Sequence, residues 1–142
     1  MQNKTILFNG IPSSGKSTLA YLLHLKLEHK GYKTIYLDDE VIKRQTAAIV
    51  GKLVDFLNAP ITIIVSCDPT IEAEIKFWCD LPIIEAEKRN LAKLSKENAP
   101  IYSDYTNWLQ YWSEGIKIDT TKSVDECMEQ IKCELKKKNL NF

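Results

Sequence analysis

Arginine is nearly missing from this chain of 142 residues, with only Arg44 and Arg89 among 19 Lys plus Arg. The planar guanidinium is the side chain suited to forked phosphate contacts, so both positions are candidates for anion binding. Histidine is also scarce, at His24 and His29. The four cysteines, Cys67, Cys79, Cys127 and Cys133, show no CxxC spacing. That excludes a structural zinc site and a disulfide framework. Net charge is absent too, because 19 Asp plus Glu balance the bases. A broad basic field of the kind that holds a protein on nucleic acid is therefore excluded, and any bound anion must be held locally. No run reaches the roughly 18 apolar residues of a membrane span, and the start, MQNKTILFNGIPSSGKST, shows no apolar stretch with a cleavage site. The expectation is no membrane partner and a cytoplasmic location. What is present is ordinary globular composition, 44% hydrophobic and 27% charged, which excludes a disordered tail, a collagen or a coiled coil. The length predicts one domain, residues 1–142.

Strand and helix patterns alternate along the chain. Thr5 to Phe8 reads as a buried first strand closed by the turn cluster Asn9-Gly10-Ile11-Pro12. A helix follows from Lys16 to about Lys30, its broad apolar face made of Leu19, Ala20, Leu22, Leu23, Leu25 and Leu27, with Gly31 as its stop. Lys33 to Leu37 predicts a second strand, and Glu40 to Leu57 a helix. Ile61-Thr62-Ile63-Ile64-Val65 is the most β-branched segment, as a central parallel strand covered on both faces should be. Glu74 to Cys79 predicts a fourth strand, Pro82 opens a helix reaching about Glu97, and Ile116 to Ile118 is a short fifth strand. Ser123-Val124-Asp125-Glu126 is a capping-box pattern, followed at helical spacing by Cys127, Met128, Ile131 and Leu135. Lys136-Lys137-Lys138 reads as a fraying helix end. The alternation predicts an α/β fold around a five-stranded parallel sheet, with helices on both faces in three layers.

The strongest chemical signal is Gly10-Ile11-Pro12-Ser13-Ser14-Gly15-Lys16-Ser17, a GxxxxGK[ST] phosphate loop between a strand and a helix. Glycines let successive backbone N–H groups curl around phosphate oxygens, and the helix start adds partial positive charge. Gly10, Ser13, Ser14 and Gly15 form the cradle, Lys16 reaches the β- and γ-phosphates of ATP, and the Ser17 hydroxyl helps hold Mg²⁺. Thr18 lies near the α-phosphate. The loop alone does not separate hydrolysing switches and motors from kinases. No acid follows Val65-Ser66 directly, and no NKxD guanine-reading motif occurs. Leu37-Asp38-Asp39-Glu40, however, stands at the carboxyl end of the second strand, where open α/β sheets bind ligands. Asp38 or Glu40 there can orient an acceptor hydroxyl or act as base. The alternative is a solvated acidic helix start.

These segments together resemble the adenylylsulfate kinases, P-loop kinases that phosphorylate the 3′-hydroxyl of adenosine 5′-phosphosulfate. The resemblance lies in Gly10 to Ala20, in Leu37-Asp38-Asp39-Glu40, in Ile61 to Ser66, in Asp80 to Glu85 leading to Lys88-Arg89, and in Ile116 to Thr120 with Ser123 to Cys127. It implies the P-loop kinase fold, ATP and Mg²⁺ as cofactors, and catalysis by Lys16, Asp38, Glu40 and Arg89, the last as a lid arginine. Asp38, Lys43, Arg44 and Ser66 would meet the acceptor, a small nucleotide-like molecule. The chain departs where the family carries an arginine- and asparagine-rich grip: Ile42-Lys43-Arg44-Gln45 runs almost directly into Ala47 to Leu57, and Cys67 to Glu72 replaces an arginine-bearing segment. A related acceptor is therefore as open as adenylylsulfate itself, and a homodimer is open. The alternatives are a catalytically inactive nucleotide-binding module with a regulatory or scaffold role, and uncoupled hydrolysis. Tyr102, Tyr105, Trp108, Tyr111 and Trp112 crowd one segment, either as a stack for a base or as hydrophobic bulk. The cysteines read as buried small apolar residues.

Overall fold

The computed structural model describes residues 4–38, 60–93 and 108–140. Five parallel strands form one sheet: β1 (Lys4–Asn9), β2 (Thr34–Asp38), β3 (Ile61–Val65), β4 (Ile75–Asp80) and β5 (Ile116–Asp119), in the order β2-β3-β1-β4-β5. Helices α1 (Lys16–His29), α2 (Ile83–Lys93), α3 (Leu109–Trp112) and α4 (Val124–Lys137) connect or follow them. The predicted fold class is the one observed. Each strand lies within two residues of its predicted bounds, and the 40–57 helix lies outside the described residues. None of the described helices is long and apolar enough to cross a membrane.

The order of burial explains the sheet. All five residues of β3 are buried, as are Ile6, Leu7 and Phe8 of β1, so the two central strands carry apolar side chains on both faces. On β4 burial alternates: Ile75, Phe77 and Cys79 are buried on one face, against the side that α1 and α4 cover. Phe8 and Phe77 meet there with ring centroids 5.2 Å apart. Trp78 faces the other way and joins a second cluster of Ile11, Leu81, Ala86 and Trp112.

Both long helices end on left-handed caps. Gly31, at φ +93°, lets its own N–H reach the Glu28 carbonyl and the Tyr32 N–H reach that of Leu27. Asn139, at φ +65°, does the same after α4, where the Leu140 N–H donates to the Leu135 carbonyl at 2.9 Å and the Leu140 side chain is buried. The predicted fraying at Lys136 to Lys138 is therefore corrected: a capped, apolar contact fastens that end. Two further expectations change. Leu25 is off the α1 core stripe of Leu19, Ala20, Leu23 and Leu27 and is 45% exposed, because 3.6-residue spacing turns it outward. Cys133 is exposed for the same reason, whereas Cys79 and Cys127 are buried.

Candidate functional site

The phosphate loop leaves β1 at the centre of the sheet, between β3 and β4, and delivers the chain into α1. Gly10 stands at φ +149°, and a Cβ there would lie 2.7 Å from the Ser14 hydroxyl and 2.8 Å from the Cys79 carbonyl, so only glycine fits. Gly15 at φ +91° and Ser13 at φ +64° supply the left-handed turns that aim successive N–H groups inward. The start of α1 has no side-chain cap and no acid in its first turn, so its N–H groups and the positive end of its dipole are left for an anion. Lys16 is only 8% exposed, and its ammonium donates to the Ile11 carbonyl at 3.1 Å. Among the described residues no carboxylate forms an ion pair with it. A buried cation whose partner among the described residues is a neutral carbonyl is costly, and an anion held in the loop would offset that cost. The Ser14 hydroxyl is fully buried with no hydrogen-bond partner among the described residues, packed under the loop beside Gly10.

Arg89 on α2 comes to this loop from the far side. Its guanidinium donates to the Thr120 carbonyl at 2.6 Å and lies 3.7 Å from where a Cβ on Gly15 would stand. Thr120 is itself anchored, its N–H and hydroxyl both donating to the Asp80 carbonyl, at 3.0 and 2.9 Å. Between them opens a cleft of about 290 Å³ lined by Ser13, Gly15, Thr18, Leu19, Arg89, Thr120, Lys122, Val124 and Cys127. That is at the small end of ligand pockets, and it opens directly beside the phosphate loop. Sequence reasoning assigned no ligand role to Leu19, Thr120, Lys122, Val124 or Cys127. The signal available was positional: the β5–α4 loop lies at the carboxyl edge of the sheet, and Val124 is an exposed valine directly after the Ser123 cap. A larger groove of about 500 Å³ runs between α1 and α4 at Leu22, Lys26 and Met128, away from the loop.

On the other side of the loop, Asp38 ends β2, in register with Val65 of β3. Tyr36, two residues earlier on the same face of β2, packs its ring against Tyr21 and His24 of α1, with centroids 5.6 and 5.9 Å away. Burial first, then the Asp38 carboxylate, raise the Tyr36 phenol above its ordinary pKa, so it is a neutral hydroxyl at physiological pH. Tyr36 and Asp38 thus stand together beside α1, and Arg89 stands by the loop at Gly15. Ser66 takes another part. It is 2% exposed, its hydroxyl accepts the Asp68 N–H at 3.1 Å, and its carbonyl accepts the Asn9 side-chain amide at 2.8 Å. It braces the β3 exit against β1. Glu40, Lys43 and Arg44 lie outside the described residues.

The aromatic segment divides. Tyr102 and Tyr105 lie outside the described residues, Tyr111 is exposed, and Trp112 is buried at 2% exposure, with its indole N–H donating to the Cys67 carbonyl at 2.9 Å. Trp108 meets it edge-on at 6.0 Å. Hydrophobic bulk is the role of Trp112. Burial pushes the Cys79 thiol up to about 12, and burial followed by the Asp119 and Glu126 carboxylates raises Cys127. Neither is an activated nucleophile.

Known structures share this architecture. The deoxyadenosine kinase from M. mycoides with bound dATP matches with a TM-score of 0.65 at 14% identity, over 93% of this chain and 99% of that one. The same enzyme with products dCMP and a flexible dCDP bound gives 0.65 at 13%, over 94% and 99%. The crystal structure of APE1195 gives 0.64 at 14%, over 92% and 93%. The chain has the P-loop kinase fold. Within that fold, the family model for adenylylsulphate kinase matches residues 2–52, which takes in the phosphate loop, α1 and Asp38. The resemblance to that family stands over this stretch of the P-loop kinase core. A comparison with curated proteins finds no match.

Proposed function

We propose that the chain is an ATP- and Mg²⁺-dependent phosphotransferase of adenylylsulfate kinase type, passing the γ-phosphate of ATP to a hydroxyl of a small nucleotide-like acceptor. The observation that carries this reading is the buried Lys16 ammonium, with no carboxylate partner among the described residues, beside an uncapped helix start, with Asp38 ending β2 across β3 from the loop. The loop amides and Lys16 bind and orient the polyphosphate. Arg89, fixed on Thr120, supplies a planar donor set at the rim of the nucleoside cleft. Magnesium, when bound at Ser17, neutralises charge on the transferring phosphates. Asp38 holds the acceptor hydroxyl and takes its proton on a carboxylate oxygen. The acceptor is a small molecule, and the whole chain acts as one domain without nucleic acid or membrane.

The acceptor class follows from two supports. Residues 2–52 match a family whose acceptor is adenylylsulfate, and the structural neighbours include a deoxyadenosine kinase. Adenosine 5′-phosphosulfate and deoxyadenosine are therefore the two acceptors to compare. ADP formation from MgATP should rise with one of them in wild type. MgATP binding without transfer to either would favour a nucleotide-binding module with a regulatory or scaffold role.

Asp38→Asn keeps the shape of the side chain and removes its charge. Turnover should fall by about 10²-fold, the scale of general-base assistance, with MgADP affinity within a few-fold of wild type. Steady-state kinetics beside calorimetric binding measures both, and equal turnover in the variant rules Asp38 out as the base.

A further inference from the structure

Two helices laid side by side leave a furrow between them, and what can settle there depends on its floor and its rim. Helices α1 and α4 pack together over one face of the sheet, and the groove of about 500 Å³ between them is of ligand-binding size. Its floor is apolar: Met128 is buried, Leu22 is half-buried and Leu25 is 45% exposed. Its rim is cationic. Lys26 and Lys30 stand on the α1 side and Lys132 on the α4 side, all three exposed, against Glu129 as the acid of the lining. Among the described residues none of these lysines pairs with a carboxylate. Glu28, close by in sequence, is turned the other way, its carboxylate 3.6 Å from the His24 ring and 3.4 Å from the Thr34 hydroxyl on β2. The chain as a whole is neutral, so the groove holds a local excess of positive charge over an apolar strip.

We propose that this groove docks a partner protein through a short amphipathic helix, apolar on the side laid into the groove and flanked by Asp or Glu. The shape favours a helix. Leu22, Leu25, Lys26 and His29 line it at i, i+3, i+4 and i+7, so the strip on α1 runs about 10 Å, and a helix laid along a groove is read by anchors at this spacing. The charge sets the sign of the partner: carboxylates on its two flanks meet Lys26 and Lys30 on one side and Lys132 on the other. A small anion would engage the lysines and leave Leu22, Leu25 and Met128 in water. A flat anionic lipid surface would meet the rim without filling the groove. A second copy in two-fold pairing would set the same lysines against one another. The groove shares no lining residue with the cleft beside the phosphate loop, so both can be filled at once. The proposal therefore stands independently of the kinase reading.

The probe is a synthetic helical peptide of about four turns, with leucines at i, i+3, i+4 and i+7 and glutamates on both flanks. Two control peptides carry lysine for every glutamate or serine for every leucine. Binding to the isotope-labelled full chain is followed by amide shifts, with and without MgADP. The acidic peptide should move the amides of Leu22 to Lys30 and Met128 to Lys132, and neither control should. Lys26→Glu combined with Lys132→Glu should weaken binding by at least about tenfold, because like charges then face each other. Leu25→Ser should weaken it as well. All three positions are exposed, so the melting temperature should stay near that of wild type. No shift along the groove, or equal shifts with the lysine peptide, overturns the proposal. So does binding that MgADP abolishes, because that places the peptide on the phosphate loop. Phosphatidylglycerol vesicles that bind wild type but not the lysine variant, with no peptide binding, make the groove a membrane contact instead. A dimer seen by light scattering that the lysine variant dissociates puts a second copy there, and either result overturns the partner helix.

Discussion

Lys16→Ala is expected to lower ADP-forming turnover by at least ~10²-fold, as loss of one preorganised electrostatic stabiliser does. The reason lies in where the charge sits. Lys16 is 8% exposed, so its ammonium acts across a poorly screened gap, and its hydrogen bond to the Ile11 carbonyl holds it over the loop. Charge on the transferring phosphates shifts during the reaction, and a fixed cation at that position favours the transition state more than the ground state. Alanine removes both the charge and the cross-loop bond. Nucleotide affinity should fall as well, but by less than turnover, which coupled kinetics and calorimetry on the same preparation distinguish. The fold should survive: Lys16 has no carboxylate partner among the described residues, so its removal relieves a desolvation cost and the melting temperature should stay close to that of wild type. Turnover equal to wild type would take Lys16 out of the mechanism and point to a contaminating kinase.

The features legible in the sequence are those written into local pattern. The β-branched run Ile61 to Val65 could only be a strand covered on both faces, and Ser123 with Glu126 marked the start of α4, where the Ser123 hydroxyl accepts the Glu126 N–H at 3.2 Å. The phosphate loop declared itself because glycine positions and Lys16 follow from the shape of a polyphosphate. What escaped depends on contacts between distant segments. Lys136 to Lys138 looked like a fraying end, since nothing local says that Leu140, just beyond, is buried against the core. The cleft beside the loop escaped because Arg89 is held by the Thr120 backbone carbonyl, an acceptor every residue carries, so side-chain identity gives no hint of the pairing. Tyr36 escaped for a related reason. A tyrosine in a strand reads as packing, and its ring contact with Tyr21 and His24 appears only when β2 is laid beside α1.

Trp112→Ala should lower unfolding stability by about 3–5 kcal/mol, the usual cost of emptying a buried tryptophan site. Against the roughly 5–15 kcal/mol that holds a typical domain, that is enough to leave a large unfolded fraction near physiological temperature. Trp112 is 2% exposed and packs with Ile11, Leu81 and Ala86 in a cluster separate from the main core, so few neighbours can close over the gap. Its indole N–H also pins the Cys67 carbonyl at 2.9 Å, tying the β3 exit to α3. Ile11 belongs to the phosphate loop, and its carbonyl is the acceptor for Lys16, so the same cavity loosens one wall of that loop. Tyr111→Ala on the same helix is the control: the ring is 52% exposed and its loss should stay within about 0.5 kcal/mol. Urea unfolding with and without MgADP reads both variants. A base-stacking role for Trp112 would give the opposite pattern, with stability near wild type in the absence of nucleotide and a loss confined to MgADP binding. The buried indole predicts a loss of stability that is already complete before any ligand is added.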